Sequence, residues 1–296
     1  MNRGKSLRPS ELVNYTAGNP DVYVSDGLAI MRSLHTIKDT PIMAMVHTPQ
    51  YVELGRIVTV TAGTASFSIN LVPYELQAGD ILVIPQHNYI SIPAVSEDFD
   101  GGTISFDRSP IEFEKCVHLR PSPEDFARIN RYADLLWEVV HRPYDERTAG
   151  HLQTAMLSDL KHLYVRQTSA VTARLSRSEQ IFQRFLDALG REQQLPRTVK
   201  AYADLLYVSP NHLSAIVRKE SGRSVMDWLN AHCILRAQVL LRHTDLSVYE
   251  VAERLGFQSA TFFFALLPPR DGADTFGIPI GILHAPIKVT DRMKYL

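Results

Sequence analysis

The chain has almost no net charge, only two cysteines and no long apolar run. Cys116 and Cys233 lie far apart in ordinary strand and helix patterns, so neither a disulfide framework nor a zinc motif has support. No stretch of roughly 18 uninterrupted apolar residues occurs, and none follows the basic start of the chain, so we expect neither a membrane span nor a secretory signal. These absences predict a reduced, cytoplasmic protein without a membrane partner.

Motifs for catalysis or metal binding are also missing. His35, His47 and His87 form no His-x-His pair, and no carboxylate follows them at a spacing that would complete a metal site. The sequence shows no glycine-rich phosphate loop, nucleophile elbow or paired-acid motif. We therefore predict no metal, no cofactor and no catalytic residue. The net charge of −1 does not indicate nucleic-acid binding, although it can conceal a local basic face.

A length of 296 residues is typical of two domains, and the first half has the pattern of a β-domain. After a flexible N-terminus over residues 1–20, short β-rich segments separated by turn residues predict a β-sandwich or barrel over 21–120. The segments are 42–46, 56–60, 65–69 and 81–84, and the predicted turns are 62–63, 78–80 and 100–102. A barrel of this size can hold one small ligand, and Tyr51, Tyr74 and Tyr89 either line such a pocket or simply pack.

The composition changes near residue 121, where helical patterns begin. Ser122 suits an N-cap, Pro123 suits the first helical position, and Pro143 ends the pattern. A second helix covers about 146–165, and together these helices over 121–167 form a candidate dimerisation segment. The apolar residues of the second helix fit an intrachain core equally well. A polar stretch over 168–177 predicts the inter-domain linker.

One stretch in the second half, residues 209–222, reads as a short helix with an exposed polar and basic face. Ser209 and Pro210 suit its start, and Gly222 suits a left-handed C-terminal cap. Leu213, Ile216 and Val217 share a buried face. The remaining side chains suit a DNA major groove, although an amphipathic surface helix is the commoner explanation of such a pattern taken alone. These side chains are Asn211, His212, Ser214, Ala215, Arg218 and Lys219.

An internal repeat favours DNA recognition over that plain explanation. A short helix with the small residue Ala203 precedes the helix at 209, and a second copy carries Ala252, 49 positions later. The second copy starts with a capping box at 247–250 and turns at Gly256. A helix over about 224–243 joins the copies and spans roughly 30 Å, which is close to one turn of B-DNA at about 34 Å. The pattern is that of two helix-turn-helix units.

These residues resemble the AraC/XylS family of bacterial transcription regulators. The motifs that carry the resemblance are 202–214, 221–224 and 244–257, within a match over about 176–264, and the segment 79–85 resembles the family's cupin-like sensor domain. The resemblance implies an α+β protein with a cupin-like β-barrel, two helices and an all-α double helix-turn-helix domain over 178–264. It also implies double-stranded DNA, RNA polymerase and a small effector as partners. The assembly that it implies is a homodimer, and the role is that of an activator.

By this resemblance, base contacts fall on Asn211, Ser214 and Ala215, with His212, Arg218 and Lys219 beside them at phosphates or flanks. Asn can pair with adenine and Ala can touch a thymine methyl, whereas basic side chains add affinity rather than specificity. In the second unit the candidate DNA-binding residues are Gln258, Ser259 and Thr261. The pattern then fails, because Pro268 and Pro269 would end the second recognition helix almost where it begins.

We interpret residues 265–296 as an atypical tail, with a frameshift as the hypothesis for its origin, and expect the second unit to be impaired. The predicted function is a sequence-specific DNA-binding regulator modulated by a ligand in the barrel. The alternative is a ligand-binding or catalytic cupin protein with impaired DNA binding.

Overall fold

The computed structural model describes most of the chain between residues 19 and 257. The described residues are 19–25, 27–34, 49–107, 111, 113–142, 146–172, 176–191, 197–244, 246–257 and 263. The strand predicted at 42–46, most of the flexible N-terminus and the atypical tail lie outside these residues. Among the described residues no helix is long and apolar enough to cross a membrane.

The first half of the chain forms two antiparallel sheets. The six-stranded sheet has the order β1-β2-β9-β4-β7-β10, and the four-stranded sheet has the order β3-β8-β5-β6. The strands are β1 (Val22–Val24), β2 (Leu28–Met31), β3 (Gln50–Val52), β4 (Gly55–Ala62), β5 (Thr64–Ile69), β6 (Val72–Gln77), β7 (Ile81–Ile84), β8 (Asn88–Val95), β9 (Asp100–Phe106) and β10 (Val117–Leu119). One apolar core takes side chains from both sheets, including Val58, Phe67, Leu82 and Ile90. The predicted β-domain is therefore confirmed.

The turn predicted at 100–102 is wrong, because these residues begin strand β9. The glycines at these positions allow two strands to approach each other closely, and they do not form a turn. A Cβ atom on Gly101 would lie 2.1 Å from the carbonyl oxygen of Thr59, next to an irregular register between β4 and β9. A glycine inside a strand commonly marks such a contact, and the sequence alone does not distinguish it from a turn.

A buried hydrogen bond between a carboxylate and a histidine closes the turn before β7. Asp80 is 2% exposed, and its Oδ2 atom lies 2.9 Å from Nε2 of His118 on β10. The same carboxylate oxygen accepts from the backbone N–H of Gln77 at 3.1 Å. Gly79 supplies the positive φ of 93° that the turn needs. The segment 79–85 thus joins a tight turn, a buried carboxylate and a fully buried strand.

Two helices cover the outer face of the six-stranded sheet. Helix α1 (Pro123–Val140) begins at the Ser122 cap, as predicted, and helix α2 is Glu146–Thr172. Ile129, Leu136, Met156 and Leu160 pack with sheet residues in one core, so much of the apolar face of α2 is intrachain core. Helix α2 runs past the predicted end at 165 and includes residues 168–172, which the sequence assigned to a linker. A polar residue can continue a helix when its side chain bonds to the preceding turn. Here the hydroxyl of Thr168 donates a hydrogen bond to the carbonyl of Tyr164.

The described residues of the second half, in the ranges 176–191, 197–244 and 246–257, contain five helices. They are α3 (Arg177–Arg191), α4 (Val199–Leu205), α5 (Pro210–Ser221), α6 (Val225–His243) and α7 (Val248–Arg254). A capping box begins α3, where Ser176 and Glu179 exchange hydrogen bonds of 2.7 and 3.2 Å. The predicted box at Ser247 and Glu250 is confirmed by the same pair of hydrogen bonds.

Helix α6 is buried on more than one side. Trp228, His232 and Leu235 are buried, and so are Cys233 and Ala237. The first helix-turn-helix unit and the barrel cover the face that carries Trp228, His232 and Leu235, and the second unit covers the opposite face at Ala237, Leu240 and Leu241. A helix covered on several sides loses the one-sided periodicity on which the sequence-based prediction rests.

The 49-residue repeat is reproduced in the backbone hydrogen bonds. The N–H of Val208 donates to the carbonyl of Ala203 at 3.0 Å, and the N–H of Phe257 donates to that of Ala252 at 3.0 Å. Both alanines are buried, with 0% and 2% exposure. One difference stands out: Tyr207 has φ 58° at the turn position that Gly256 occupies with φ 78°.

This difference predicts opposite effects of two substitutions. Tyr207 is 90% exposed, so its side chain contributes little packing, whereas its left-handed backbone costs about 1–2 kcal/mol. We expect Tyr207→Gly to raise the free energy of unfolding by about 0.5–1 kcal/mol. Gly256→Ala, the matched change in the second unit, should lower it by about 1 kcal/mol. Urea unfolding measures both, and a destabilised Tyr207→Gly protein would contradict the assignment of strain.

Candidate nucleic-acid interface

Helix α5 is built as its sequence predicts. Ser209 accepts a hydrogen bond from the backbone N–H of His212 at 3.2 Å, and Pro210 occupies the first turn. Gly222 ends the helix at φ 73° and donates its N–H to the carbonyl of Arg218. Leu213 and Val217 are fully buried, and Ile216 is 4% exposed. The caps and the buried stripe together fix which side of α5 faces outward.

The six candidate DNA-binding residues of the first unit lie together on that outward side. Ser214 is half-buried and the other five are exposed, namely Asn211, His212, Ala215, Arg218 and Lys219. The hydroxyl of Ser214 donates to the carbonyl of Pro210 at 2.8 Å, which leaves its oxygen available as an acceptor. The side chains therefore present donors, acceptors and a methyl group on one continuous strip.

The basic end of this strip has acidic neighbours. Nζ of Lys219 lies 3.5 Å from Oε1 of Glu220, a carboxylate that is almost completely buried. Hydrogen bonds from Ser224 lower the pKa of Asp227, and the charges of Arg223 and Arg218 lower it further. Arg223 thus belongs to the same basic group as Arg218, although the sequence motif alone did not single it out.

The described part of the second unit packs on helix α6. Phe263 is fully buried against Val251, Ala252 and Ala237, and its ring lies 5.1 Å from that of Phe257. The guanidinium of Arg197 lies 4.1 Å from the centre of the Phe257 ring and donates to the sulfur of Cys233. Gln258, Ser259 and Thr261 lie outside the described residues, as do the tail positions after Phe263.

The barrel contributes side chains to the core of the first unit. Leu71, at the tip of the β5–β6 hairpin, and Tyr89 on β8 join the cluster formed by α3, α4, α5 and α6. The rings of Tyr89 and His232 meet edge to face at 5.8 Å. At Gly190 on α3 a Cβ atom would lie 2.5 Å from the amide nitrogen of Asn70, so this helix touches the hairpin tip closely.

Sequence analysis missed this contact between domains. Tyr89 lies in strand β8 and Leu71 in the turn between β5 and β6, and nothing in the sequence around them distinguishes a side chain buried by another domain. In the structure the hairpin tip has an unusual backbone, because Asn70 and Leu71 adopt positive φ values of 49° and 72° although neither is a glycine. Of the three tyrosines considered from sequence, Tyr51 and Tyr89 pack at this contact and Tyr74 lines a cavity.

That cavity lies between the barrel and α3. Its volume is about 730 Å³, which is within the range of small-molecule sites. Ile69, Val72, Tyr74 and Ile84 line it from the barrel, and Gln183, Leu186, Asp187 and Gly190 line it from α3. The described residues contain no group of three or more His, Cys, Asp and Glu side chains that could hold a metal ion.

The buried histidine at the contact predicts a pH dependence. Burial, aided by the charge of Arg236, lowers the pKa of His232 from 6.5 to about 3. The unfolded chain therefore binds a proton at this position between these values and the folded chain does not, so stability falls as the pH drops below about 6.5. The loss attributable to His232 should approach 1.4 kcal/mol per pH unit.

Urea unfolding between pH 7 and pH 5 tests this expectation. The variant His232→Gln should show a shallower loss of stability on acidification than the unmodified chain. The matched variant His151→Gln changes an exposed histidine of α2 and should keep the original slope. Equal slopes for all three proteins would show that His232 does not titrate as its burial requires.

The architecture defines a class of protein: a β-barrel domain joined to a helix-turn-helix domain that exposes a polar and basic recognition helix. Comparison with known proteins is in agreement. Residues 202–267 match a family model described as a helix-turn-helix domain. An uncharacterized HTH-type transcriptional regulator of Escherichia coli, YijO, is 29% identical over 129 residues, which are 44% of each chain.

Two longer matches extend into the barrel. The transcriptional activator RhaR of Cronobacter sakazakii is 23% identical over 76% of this chain and 83% of its own length. The arabinose operon regulatory protein of Salmonella typhimurium is 24% identical over 74% and 81%. A crystal structure of ToxT from Vibrio cholerae O395 aligns over 73% of this chain and 84% of its own, with 13% identity and a TM-score of 0.33. The chain thus contains a helix-turn-helix domain, and over about three quarters of its length it is similar to these two transcription regulators.

Proposed function

We propose that this chain regulates transcription by reading operator DNA with helix α5, under the control of a small effector held between the barrel and α3. The observation that carries the proposal is the outward strip of α5. It lies on the second helix of a helix-turn-helix unit whose backbone hydrogen bonds recur 49 residues later. Asn211, Ser214 and Ala215 contact bases in this proposal, and His212, Arg218 and Lys219 contact phosphates or flanking positions.

The wider assignments belong to the same proposal. Residues 21–120 act as the sensor barrel, 121–167 as the dimerisation segment and 178–264 as the DNA-binding domain. Homodimerisation through α1 and α2 is supported by Leu135 and Val165, which are 46% and 52% exposed on these helices. The chain acts in the cytoplasm, where its DNA lies, and as an activator it contacts RNA polymerase. Gln258, Ser259 and Thr261 contact DNA from the second unit.

Two substitutions in α5 test DNA reading. Duplexes that the unmodified chain enriches from a random pool serve as the probe, and fluorescence anisotropy gives affinities at several salt concentrations. Asn211→Ala should relax the preference at one base position, at a cost of about 1–3 kcal/mol on the preferred duplex. Arg218→Ala should weaken binding to all duplexes similarly and reduce the salt slope by about 1.

The control is Arg131→Ala, which removes an exposed arginine from α1 in the other half of the chain. It should leave both the base preference and the salt slope unchanged. If the two α5 variants bind the enriched duplexes as the unmodified chain does, α5 is not the reading helix. The cupin alternative would then be favoured, because it does not require α5 to contact DNA.

A third substitution tests the connection between barrel and DNA-binding domain. Leu71→Asn keeps a residue that tolerates positive φ but removes the apolar side chain from the shared core. We expect calorimetry to resolve two unfolding transitions in this variant, one for the barrel and one for the helices around α5. Gln77→Asn, an exposed change in the same hairpin, should preserve the unmodified profile. An unaltered profile in Leu71→Asn would contradict the proposed connection.

A further inference from the structure

A second cavity lies between the six-stranded sheet and the two helices that cover it. Its volume is about 250 Å³, and strands β2, β4 and β9 form its floor. Helix α2 contributes Met156, and α1 contributes Ile129, Asn130, Ala133 and Asp134. The described lining shares no residue with that of the cavity between the barrel and α3. A ligand in this space therefore occupies a separate site, on the outer face of the sheet.

The cavity exists because the sheet and α1 both carry small side chains at this place. On the face of the sheet that α1 covers, Ile57 pairs with Ile104. The next pair on the same face is Thr59 with Gly102, because successive side chains of a strand point to opposite faces. The floor thus drops from two isoleucines to a threonine and a glycine. Ala133 lines the same space from α1, so no large side chain fills it.

A buried hydroxyl lies in the floor of the cavity. Thr59 is 7% exposed, and its Oγ1 atom lies 3.5 Å from the carbonyl oxygen of Gly102. A hydrogen bond of that length is weak, so the hydroxyl can turn to a closer partner, as donor or as acceptor. Ile57, Ile104 and Ile129 contribute apolar surface to the same lining. The floor therefore offers a neutral hydrogen-bonding group among apolar side chains.

The charged groups of the lining are exposed and paired with each other. The guanidinium of Arg32 lies 3.8 Å from Oδ1 of Asp134, and these side chains are 50% and 65% exposed. The same guanidinium lies 5.4 Å from the centre of the Trp137 ring. An ion taken into the cavity would lose its hydration, and the charges at the mouth are already answered within the chain and screened by solvent. The lining therefore favours a neutral ligand.

The volume of the cavity and the thioether in its wall limit the ligand further. An apolar cavity of about 150 Å³ holds one benzene molecule, so a volume of about 250 Å³ accommodates one substituted six-membered ring. Met156 is fully buried in the wall. A thioether sulfur makes favourable contacts with aromatic rings. An aromatic ring is therefore better matched to this wall than an aliphatic chain.

We propose that this cavity is a second ligand site, which takes a small neutral aromatic molecule with one hydroxyl group, a phenol. The ring packs against Met156 and the isoleucines of the sheet, and its hydroxyl exchanges a hydrogen bond with Thr59. The ligand touches the sheet, α1 and α2 together, so its binding stabilises the packing of these elements. The site uses neither the strip of α5 nor the cavity beside α3, so this inference goes beyond the proposed function.

The methyl group of Met156 provides a local measurement of binding. The full chain is labelled isotopically at its methionine methyl groups, and the Met156 signal is assigned from Met156→Leu, which nearly conserves volume. Phenol, toluene and benzoate are titrated separately and followed by NMR. We expect phenol to shift the Met156 signal with a dissociation constant of about 1 mM, and benzoate to leave it unshifted at the same concentrations. No shift with phenol, or an equal shift with benzoate, would overturn the inference.

Two variants test the hydroxyl and the space. Thr59→Val keeps the shape of the side chain and removes its hydroxyl. Since toluene has the ring without the hydroxyl, this variant should reduce the phenol-to-toluene affinity ratio by about tenfold. Ala133→Leu fills the cavity from α1 and should weaken the binding of both probes by more than about tenfold.

The matched control is Ala127→Leu, which adds the same volume at an exposed position of α1 outside the lining. It should bind both probes as the unmodified chain does. An unchanged affinity ratio in Thr59→Val, or undiminished binding in Ala133→Leu, would overturn the assignment of the site.

Binding of the enriched duplexes by each variant separates this inference from the proposed function. All three variants should bind DNA as the unmodified chain does when no probe is present, because their substitutions lie far along the chain from α5. If DNA binding is intact and phenol leaves the Met156 signal unshifted, the second site is wrong and the proposed DNA reading stands. If α5 substitutions leave DNA binding unaltered, the proposed function fails whatever the probes show.

Discussion

The insertion of Leu71 and Tyr89 into the core of the first helix-turn-helix unit is the contact on which the arrangement of the molecule depends. Trp228, Phe182 and Phe185 are fully buried in the same cluster, so a hairpin tip of the barrel completes a core built by four helices. Exposing a leucine side chain that is buried at such a site costs about 1.5–3 kcal/mol of free energy. The barrel and the reading helix are thereby connected through packing.

This arrangement gives helix α6 two roles. It joins the two units at a fixed distance, and one of its faces carries His232, which packs on Tyr89. Any displacement of β8 relative to α6 acts on the helix that sets the spacing of the units. The outward strip of α5 remains exposed while the barrel is docked, so the docked barrel does not cover the strip.

The elements with local signals were predictable from sequence. The caps at Ser122, Ser209 and Ser247 and the short β-rich segments of β4, β5 and β7 predicted much of the secondary structure, and the repeat predicted the helix-turn-helix units. Two predictions were wrong for physical reasons. The turn predicted at 100–102 is a strand, because Gly101 allows a close approach between strands. The linker predicted from residue 168 begins inside α2, because its polar residues continue the helix. The contact between Tyr89 and α6 and the cavity between the barrel and α3 were not predictable, because each arises where two separate parts of the chain meet. Whether the candidate residues of α5 contact DNA stays a prediction.

Native-state hydrogen exchange of the unmodified chain tests the central claim most directly. If one core joins the barrel to the first unit, amides at the tip of the β5–β6 hairpin and amides of α5 and α6 exchange through a common opening, with equal free energy and equal denaturant dependence. Hairpin amides that open at a much lower free energy than those of α6, with a separate denaturant dependence, would contradict the account.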